Sequence, residues 1–343
     1  MKGVQTMRVT MRDVAKAAGV SVSTVSKVVN DHYSISRETA QRVHAVMREL
    51  NYYPNARAQS FARGTTKTVL LLAGMAPNTA FNNPHMFEIV AGLEEMLRKR
   101  GYRLVLQGTD ATSACGVAQE VISRQSVDAI AVHVGIMSHP LSALLTKTQF
   151  PHIVLGMPNF DSQVCWIDNN NTYSGSMAAA YLTAQGYRNI AFIGGQYYDL
   201  GSTHRLEGVK QGLAGAGIRL AEQHIWLGES TRADGYRMTG ELLEQKPLPD
   251  AILCANNYIA LGCVDALRDH GLRIPQDMGI MTFDDYPFSR IVEPQLTVVD
   301  INVRAMGSQA AKLLLDIIRH PNMQVQTYVT TSSVIERQST RQK

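Results

Sequence analysis

The sequence predicts an all-α helix-turn-helix head followed by an α/β core of two doubly wound parallel-sheet lobes. Three observations carry this prediction. Residues 10–30 combine helix caps, a turn glycine and a helical apolar period in one short stretch. Positive charge is concentrated in the same region: residues 1–67 hold eleven Lys/Arg against four Asp/Glu, a net +7, and the remainder holds 22 basic and 25 acidic residues, a net −3. From Thr68 onward, Val/Ile/Leu-rich strands alternate with amphipathic helices in two successive runs, the pattern of parallel sheets.

The head reads as follows. Thr10 caps a first helix, with Asp13 three residues on in capping-box position, and Val14, Ala15 and Ala18 share one face. Gly19 supplies the left-handed turn. Ser21 caps a second helix whose inner face is Val25, Val28 and Val29. Small apolar residues on both sides of a glycine turn let two helices cross closely and steeply, which presents the second to a DNA major groove. Ser36 caps a third helix over 36–51, striped by Ala40, Val43, Met47 and Leu50 and stopped by Pro54. Residues 55–64 suit a helix too short to stand alone, and 64–67 read as a linker. The domains expected are a head over 1–54, a hinge helix and linker over 55–67, and a core over 68–343.

In the core, strands are expected over 68–73, 102–107, 129–134 and 152–156, with helices over 85–100 and 116–125 between them. A second run places helices over 175–185, 204–216, 233–245 and 259–270 among strands over 189–193, 224–227, 251–255 and 278–283. A helix over 303–318 and a single closing strand over 328–336 follow. Two such runs predict lobes of about 68–167 with 300–324, and 168–299 with 325–340. A ligand cleft is expected between them, at the carboxyl ends of the strands.

Composition narrows the function classes. A basic head on a mildly acidic body is the electrostatic footprint of a nucleic-acid-binding module joined to another unit. Cys115, Cys165, Cys254 and Cys263 are scattered, with no Cys-x-x-Cys pair and no His at metal spacing, so free thiols in a reducing compartment and no metal are expected. No apolar run suits a signal peptide or a membrane span, which makes the expected location cytoplasmic with no membrane partner. There is no phosphate-cradling Gly-x-x-x-x-Gly-Lys-Ser/Thr loop, no Gly-x-Ser-x-Gly elbow and no complete dinucleotide fingerprint, so neither a catalytic residue nor a cofactor is expected. The alternatives are a cytoplasmic sugar-binding protein or an enzyme on the same bilobed core.

The chain closely resembles the LacI family of bacterial transcription regulators over about residues 8–340. The resemblance rests on Val9 to Ala15, Ala18-Gly19-Val20-Ser21, Thr24 to Asn30 and Leu50-Asn51-Tyr52-Tyr53-Pro54-Asn55. It continues through Gly92-Leu93-Glu94, Gly186 to Gly195, Phe283-Asp284-Asp285, Leu296 to Val299, Met306-Gly307 and Arg337-Gln338-Ser339. It implies a DNA-binding head, a hinge helix, a periplasmic-binding-protein-like core and a homodimer reading a pseudo-palindromic double-stranded DNA operator. The function implied is a transcriptional regulator, a repressor, switched by a sugar or sugar derivative. The chain has no leucine-heptad tail of the kind that makes some members tetramers, so a dimer is expected.

By that resemblance, base readout falls to Val22, Ser23 and Lys27. A Lys at this position donates to guanine or to phosphate, Ser bonds either kind of base edge, and Val offers apolar contact to a thymine methyl. Thr10, Ser21, Thr24, Ser26 and Asn30 fit backbone positioning, Ser21 and Thr24 doubling as helix caps. Tyr52 suits the head core or a phosphate contact, and Asn55 lies in the same DNA-binding stretch. Phe61 stands where members commonly carry Leu, at a position that wedges into the minor groove or packs on the partner's hinge helix.

For the effector, the resemblance assigns Arg205, Asn256 and Asp284 to the second lobe. Asp284 would accept adjacent hydroxyls, Arg205 would donate and Asn256 would do both, or Arg205 and Asp284 form a structural ion pair. Asn83, His85 and Phe87 are the first-lobe candidates, with Phe87 equally suited to the core. Trp166 either stacks on a sugar face or fills the inter-lobe core. Members usually carry two aromatics where this chain has His85-Met86, and Asp where it has Asn257, which removes a charge from the cleft rim. Asp168-Asn169-Asn170-Asn171 offers two registers for the family's Asp-Asn motif.

Overall fold

The computed structural model describes residues 9–30, 32–53, 64–75 and 84–341. The chain divides into two compact units: 1–67 with 126–128, and 68–125 with 129–343. In the first unit, α1 (Met11–Ala18), α2 (Val22–Val29) and α3 (Arg37–Glu49) pack around Val14, Ala15, Ala18, Val25, Val28, Val29 and Val43. Gly19 takes φ 64° between α1 and α2. Asp13 closes the start of α1 by accepting from the Thr10 amide (2.8 Å) and hydroxyl (2.7 Å). The Ser21 hydroxyl caps α2 by accepting from Thr24 N at 3.0 Å.

The second unit holds two six-stranded sheets. In chain order its first half contains β1 (Thr68–Ala73), α4 (Pro84–Lys99), β2 (Arg103–Gly108), α5 (Ala114–Ser123), β3 (Ala129–His133), α6 (His139–Thr148), β4 (His152–Leu155) and β5 (Trp166–Asn169). The second half contains α7 (Asn171–Ala184), β6 (Ile190–Gly195), α8 (Leu200–Gly215), β7 (Ile225–Gly228), α9 (Arg232–Leu243), β8 (Ala251–Cys254), α10 (Asn257–Asp269), β9 (Gly279–Phe283), α11 (Pro287–Ile291) and β10 (Thr297–Asp300). The chain ends with α12 (Val303–Arg319), β11 (Thr327–Thr330) and β12 (Ser333–Ile335). The sheet orders are β11-β5-β4-β3-β1-β2 and β12-β10-β9-β8-β6-β7, parallel throughout except that β12 runs antiparallel to β10. Each lobe therefore has the switch-point topology that opens a crevice beyond its strand carboxyl ends.

Three helix pairs cross through reciprocal glycines: Gly92 and Gly307 (α4, α12), Gly175 and Gly208 (α7, α8), and Gly235 and Gly262 (α9, α10). At each, a β-carbon would overlap a main-chain carbonyl of the facing helix, so backbones touch where side chains would hold them apart.

The structure corrects the closing strand. Residues 328–336 are two strands in two sheets: β11 pairs with β5 in the first lobe, and β12 with β10 in the second. The lobe boundaries move accordingly, with 168–169 and 327–330 in the first sheet. Uninterrupted β-type sequence concealed the crossing at Thr331-Ser332. The helix starts expected at 175, 204 and 259 begin earlier, at Asn171, Leu200 and Asn257, because their first turns are polar and lie outside the apolar stripe. Helices α6 and α11 and strands β5 and β10 had no counterpart in the sequence reading.

Candidate functional site

The lobes enclose a cavity of about 620 Å³. The first lobe contributes His85 from the start of α4, His133 from the end of β3 and Asp168-Asn169 from the end of β5. The second contributes Asn171, Asp199, Arg205, Asn256, Asp284 and Tyr286, among others. The contributions come from strand carboxyl ends and the helix starts that follow them, as the topology requires.

Arg205 is the best-fixed cation of the site. It is 7% exposed. Its Nε donates to Asn171 Oδ1 at 2.9 Å and its guanidinium to the Ala255 carbonyl at 2.5 Å, with the Phe283 ring 4.4 Å from its Cζ. Asn171 is itself oriented by Asn169, whose amide donates to the same oxygen at 2.8 Å. Asp284 lies 3.7 Å from the Arg205 guanidinium and is 5% exposed. Burial pushes its carboxyl above the usual range, against the opposing pull of Arg205. Its Oδ1 is buried and makes no hydrogen bond among the described residues. Such an acceptor is costly unless something donates to it, and it belongs to the cavity wall.

His85 and His133 make the other wall. Burial, reinforced by Arg205, lowers His85 to about 4, and burial with His85 nearby lowers His133 to about 4. Both are neutral at pH 7, each with one ring donor and one ring acceptor. His85 Nδ1 lies 3.0 Å from the Tyr286 hydroxyl, whose own pKa burial raises. Asp168 is raised by burial and held by the amides of Met157 (3.0 Å) and Asn169 (2.7 Å). Among the described residues there is no cluster of three or more His/Cys/Asp/Glu able to hold a metal ion.

The structure brings together four of the expected effector residues: His85, Arg205, Asn256 and Asp284. Asn256 also caps α10, accepting from Ile259 N at 2.9 Å. Two others lie elsewhere. Phe87 is 57% exposed and faces neither core nor cavity, because it sits two residues, more than half a turn, from His85 on α4. Trp166 starts β5, at the end away from the cavity that Asp168 and Asn169 reach. Asn83 falls outside the described residues. The two registers of the Asp168–Asn171 run are settled by topology: Asp168 and Asn169 end β5, Asn170 caps α7 through Tyr173 N (2.9 Å), and Asn171 carries Arg205.

Sequence reasoning missed His133, Tyr286 and the positioning role of Asn257. His133 shows only its place at the end of an apolar strand, and Tyr286 only its closeness to Asp284. Asn257, read as a lost charge on the cleft rim, is 2% exposed and donates to the carbonyls of Phe283 (2.6 Å) and Asp284 (2.8 Å). The adjacent acids diverge: Asp285 turns from the cavity to Arg337 (2.7 Å) and Arg290 (3.0 Å).

On the head, Ser21, Val22, Ser23 and Lys27 are exposed, while Thr24, Ser26 and Asn30 are partly covered. Val22 is 42% exposed although it is apolar. Thr10 is exposed beside Asp13. Asn30 closes its own helix, its amide donating to the Ser26 carbonyl at 2.9 Å. Tyr52 packs against the head core. Asn55 and Phe61 lie outside the described residues.

A helix-turn-helix head on the same chain as a two-lobed core with a cavity between its lobes is the build of a ligand-responsive DNA-binding regulator. The profile described as "Bacterial regulatory proteins, lacI family" matches residues 10–55, and that of the "Periplasmic binding protein-like domain" matches 179–340. An HTH-type transcriptional repressor PurR from Haemophilus influenzae strain PittEE is 32% identical over 322 residues, 93% of this chain and 94% of that protein. PurR from Pasteurella multocida strain Pm70 is 30% identical over 311 residues, 90% and 92% of the two chains. A transcriptional regulator CelR–cellobiose complex is 28% identical with a TM-score of 0.72, covering 97% of this chain and 100% of that one. A lac repressor dimer bound to operator and the anti-inducer ONPF shares the fold, with TM-score 0.85 at 24% identity over 97% and 99%. The chain belongs to the lacI family of bacterial regulatory proteins. It is a DNA-binding transcriptional regulator with a small-molecule effector site.

Proposed function

We propose that this protein is a cytoplasmic repressor, acting as a homodimer on a pseudo-palindromic operator, whose grip is set by a sugar or sugar derivative held between the core lobes. The observation that carries the effector reading is the buried Asp284 carboxylate, with one oxygen beside Arg205 and the other without a donor among the described residues. A ligand hydroxyl supplies that donor. The neighbouring amides, neutral imidazoles and phenol suit further hydroxyls. The cellobiose complex of CelR supports the same class. The reading assigns the protein no catalytic step; its relatives are transcriptional repressors.

In this reading Val22, Ser23 and Lys27 meet base edges, while Thr10, Ser21, Thr24, Ser26 and Asn30 position the backbone. Phe61 wedges the minor groove from the hinge. The exposed apolar edge of β2, with Val105 45% and Leu106 37% exposed, supports pairing with a second copy. Effector binding selects one closure of the lobes and shifts operator affinity. The test is operator affinity with and without candidate sugars. A sugar that binds and changes operator affinity at least tenfold supports the switch; one that binds and leaves it unchanged defeats it. Among the described residues, no helix is long and apolar enough to cross a membrane.

A further inference from the structure

We propose that the cavity selects an uncharged polyhydroxylated effector and discriminates against phosphorylated or otherwise anionic forms of the same compound. The inference rests on the saccharide reading above and narrows it.

Formal charge comes first. Asp168, Asp199 and Asp284 line the cavity with Arg205 and Arg232. Neither guanidinium is uncommitted. Arg205 is held by Asn171, by the Ala255 carbonyl and beside Asp284. Arg232 bonds Asp265 from Nε at 2.7 Å and from a terminal nitrogen at 2.5 Å. Asp168 and Asp199 make no ion pair among the described residues, and segment 76–83 carries no charged side chain. The balance is negative where a phosphate would have to sit.

The helix starts point the same way. An uncapped helix N-terminus is a ready anion seat, and α7, α8, α9 and α10 all begin at this end of the second lobe. Each is closed by its own cap: Asn170 to Tyr173 N, Asp199 to Ser202 N, Thr231 to Asp234 N and Asn256 to Ile259 N. At α8 the cap is a carboxylate. At α9 the first-turn Asp234 already takes the Glu229 amide at 2.5 Å. An incoming phosphate would have to displace a cap and lie beside like charge.

The third observation is independent of both. Asp284 Oδ1 is buried, lines the cavity and lacks a donor among the described residues. A hydroxyl donates to it; a phosphate dianion cannot.

The test is calorimetry on the full-length protein at pH 7.5, with neutral mono- and disaccharides, the phosphate ester of each, and inorganic phosphate. The expected result is binding of a neutral saccharide, at least tenfold weaker binding of its phosphate ester, and no binding of inorganic phosphate. Asp199→Asn removes a charge and keeps an oxygen for the cap, so it narrows the gap several-fold. A phosphate ester that binds as tightly as its parent sugar, or inorganic phosphate that binds below millimolar, overturns the charge exclusion and leaves the saccharide reading standing. An unchanged gap in Asp199→Asn overturns its electrostatic cause. If no saccharide of either kind binds and an uncharged nucleobase does, the saccharide reading and this inference fall together.

Discussion

Asn257 holds Asp284 in the cavity wall by donating its side-chain amide to two successive carbonyls, those of Phe283 and Asp284 itself. Asp284 sits at φ 72°, a left-handed conformation that costs a non-glycine residue about 1 kcal/mol or more. The two hydrogen bonds from Asn257 offset that cost and aim the carboxylate at the ligand space. The position needs a donor, because both of its partners are carbonyl acceptors.

Asn257→Asp is therefore expected to destabilise the core by roughly 1–3 kcal/mol at pH 7, the cost of losing buried donors and facing a carboxylate to carbonyls. The new carboxyl would have its folded pKa raised, so the penalty should shrink as pH falls toward the unfolded value of about 4. Urea unfolding of both proteins at pH 7 and pH 5 checks this. A penalty equal at both pH values contradicts the geometry.

Arg205→Lys should weaken effector binding at least tenfold although charge is kept. A lysine has a single compact head and cannot serve Asn171, the Ala255 carbonyl and the Asp284 side together. Loss of the ligand-induced rise in melting temperature is the readout.

The imidazole pair makes the protein acid-sensitive. His85 and His133 titrate near 4 in the folded state, below the ordinary 6.5. As pH falls through 6.5 the unfolded chain takes up protons first, so stability drops until the folded histidines protonate near pH 4. Each contributes a slope of at most about 1.4 kcal/mol per pH unit in that window and none above it. Unfolding free energies of wild type and the His85→Gln/His133→Gln double variant, measured from pH 7.5 to 4.5, should diverge in slope only below about pH 6.5.

Gly208→Ala tests the close crossing of α7 and α8. Its new methyl would overlap the Thr172 carbonyl and force the helices apart. A cost of about 1–3 kcal/mol is expected from overpacking. Arg205 rides on α8 and bonds Asn171 on α7, so ligand affinity should fall as well. Gly116→Ala, where a β-carbon meets nothing within 4 Å, is the control.

On the head, Lys27→Ala separates two contacts. If Lys27 reads guanine, operator affinity falls by roughly 1–3 kcal/mol and preference at one base pair relaxes. If it meets phosphate, affinity falls uniformly across sequences and the salt slope drops by about one. Binding to operator variants across a salt series distinguishes them.

The head was legible because its structure is local. Thr10 with Asp13, Gly19, and Ser21 with Thr24 interact within five residues, and the pattern Val25, Val28, Val29 states the buried face directly. The strands of the core were legible as apolar runs. Their boundaries slipped at α7, α8 and α10, where polar first turns face the ligand space. The cavity was half legible. His85, Arg205, Asn256 and Asp284 came through resemblance, while His133 and Tyr286 gave no local signal.

The amino-acid order by itself determined the caps, the turn, the apolar faces and the alternation of strand and helix, since these depend on neighbours a few residues apart. Only the tertiary structure decided that residues 328–336 divide between two sheets, that Asp284 points into the cavity while Asp285 turns to Arg337, and that Asn257 serves Asp284 across 27 positions. Those outcomes depend on which distant backbone offers a carbonyl, a charge or an open strand edge. Chain folding settles that, because buried polar groups must find partners wherever the packed lobes place them.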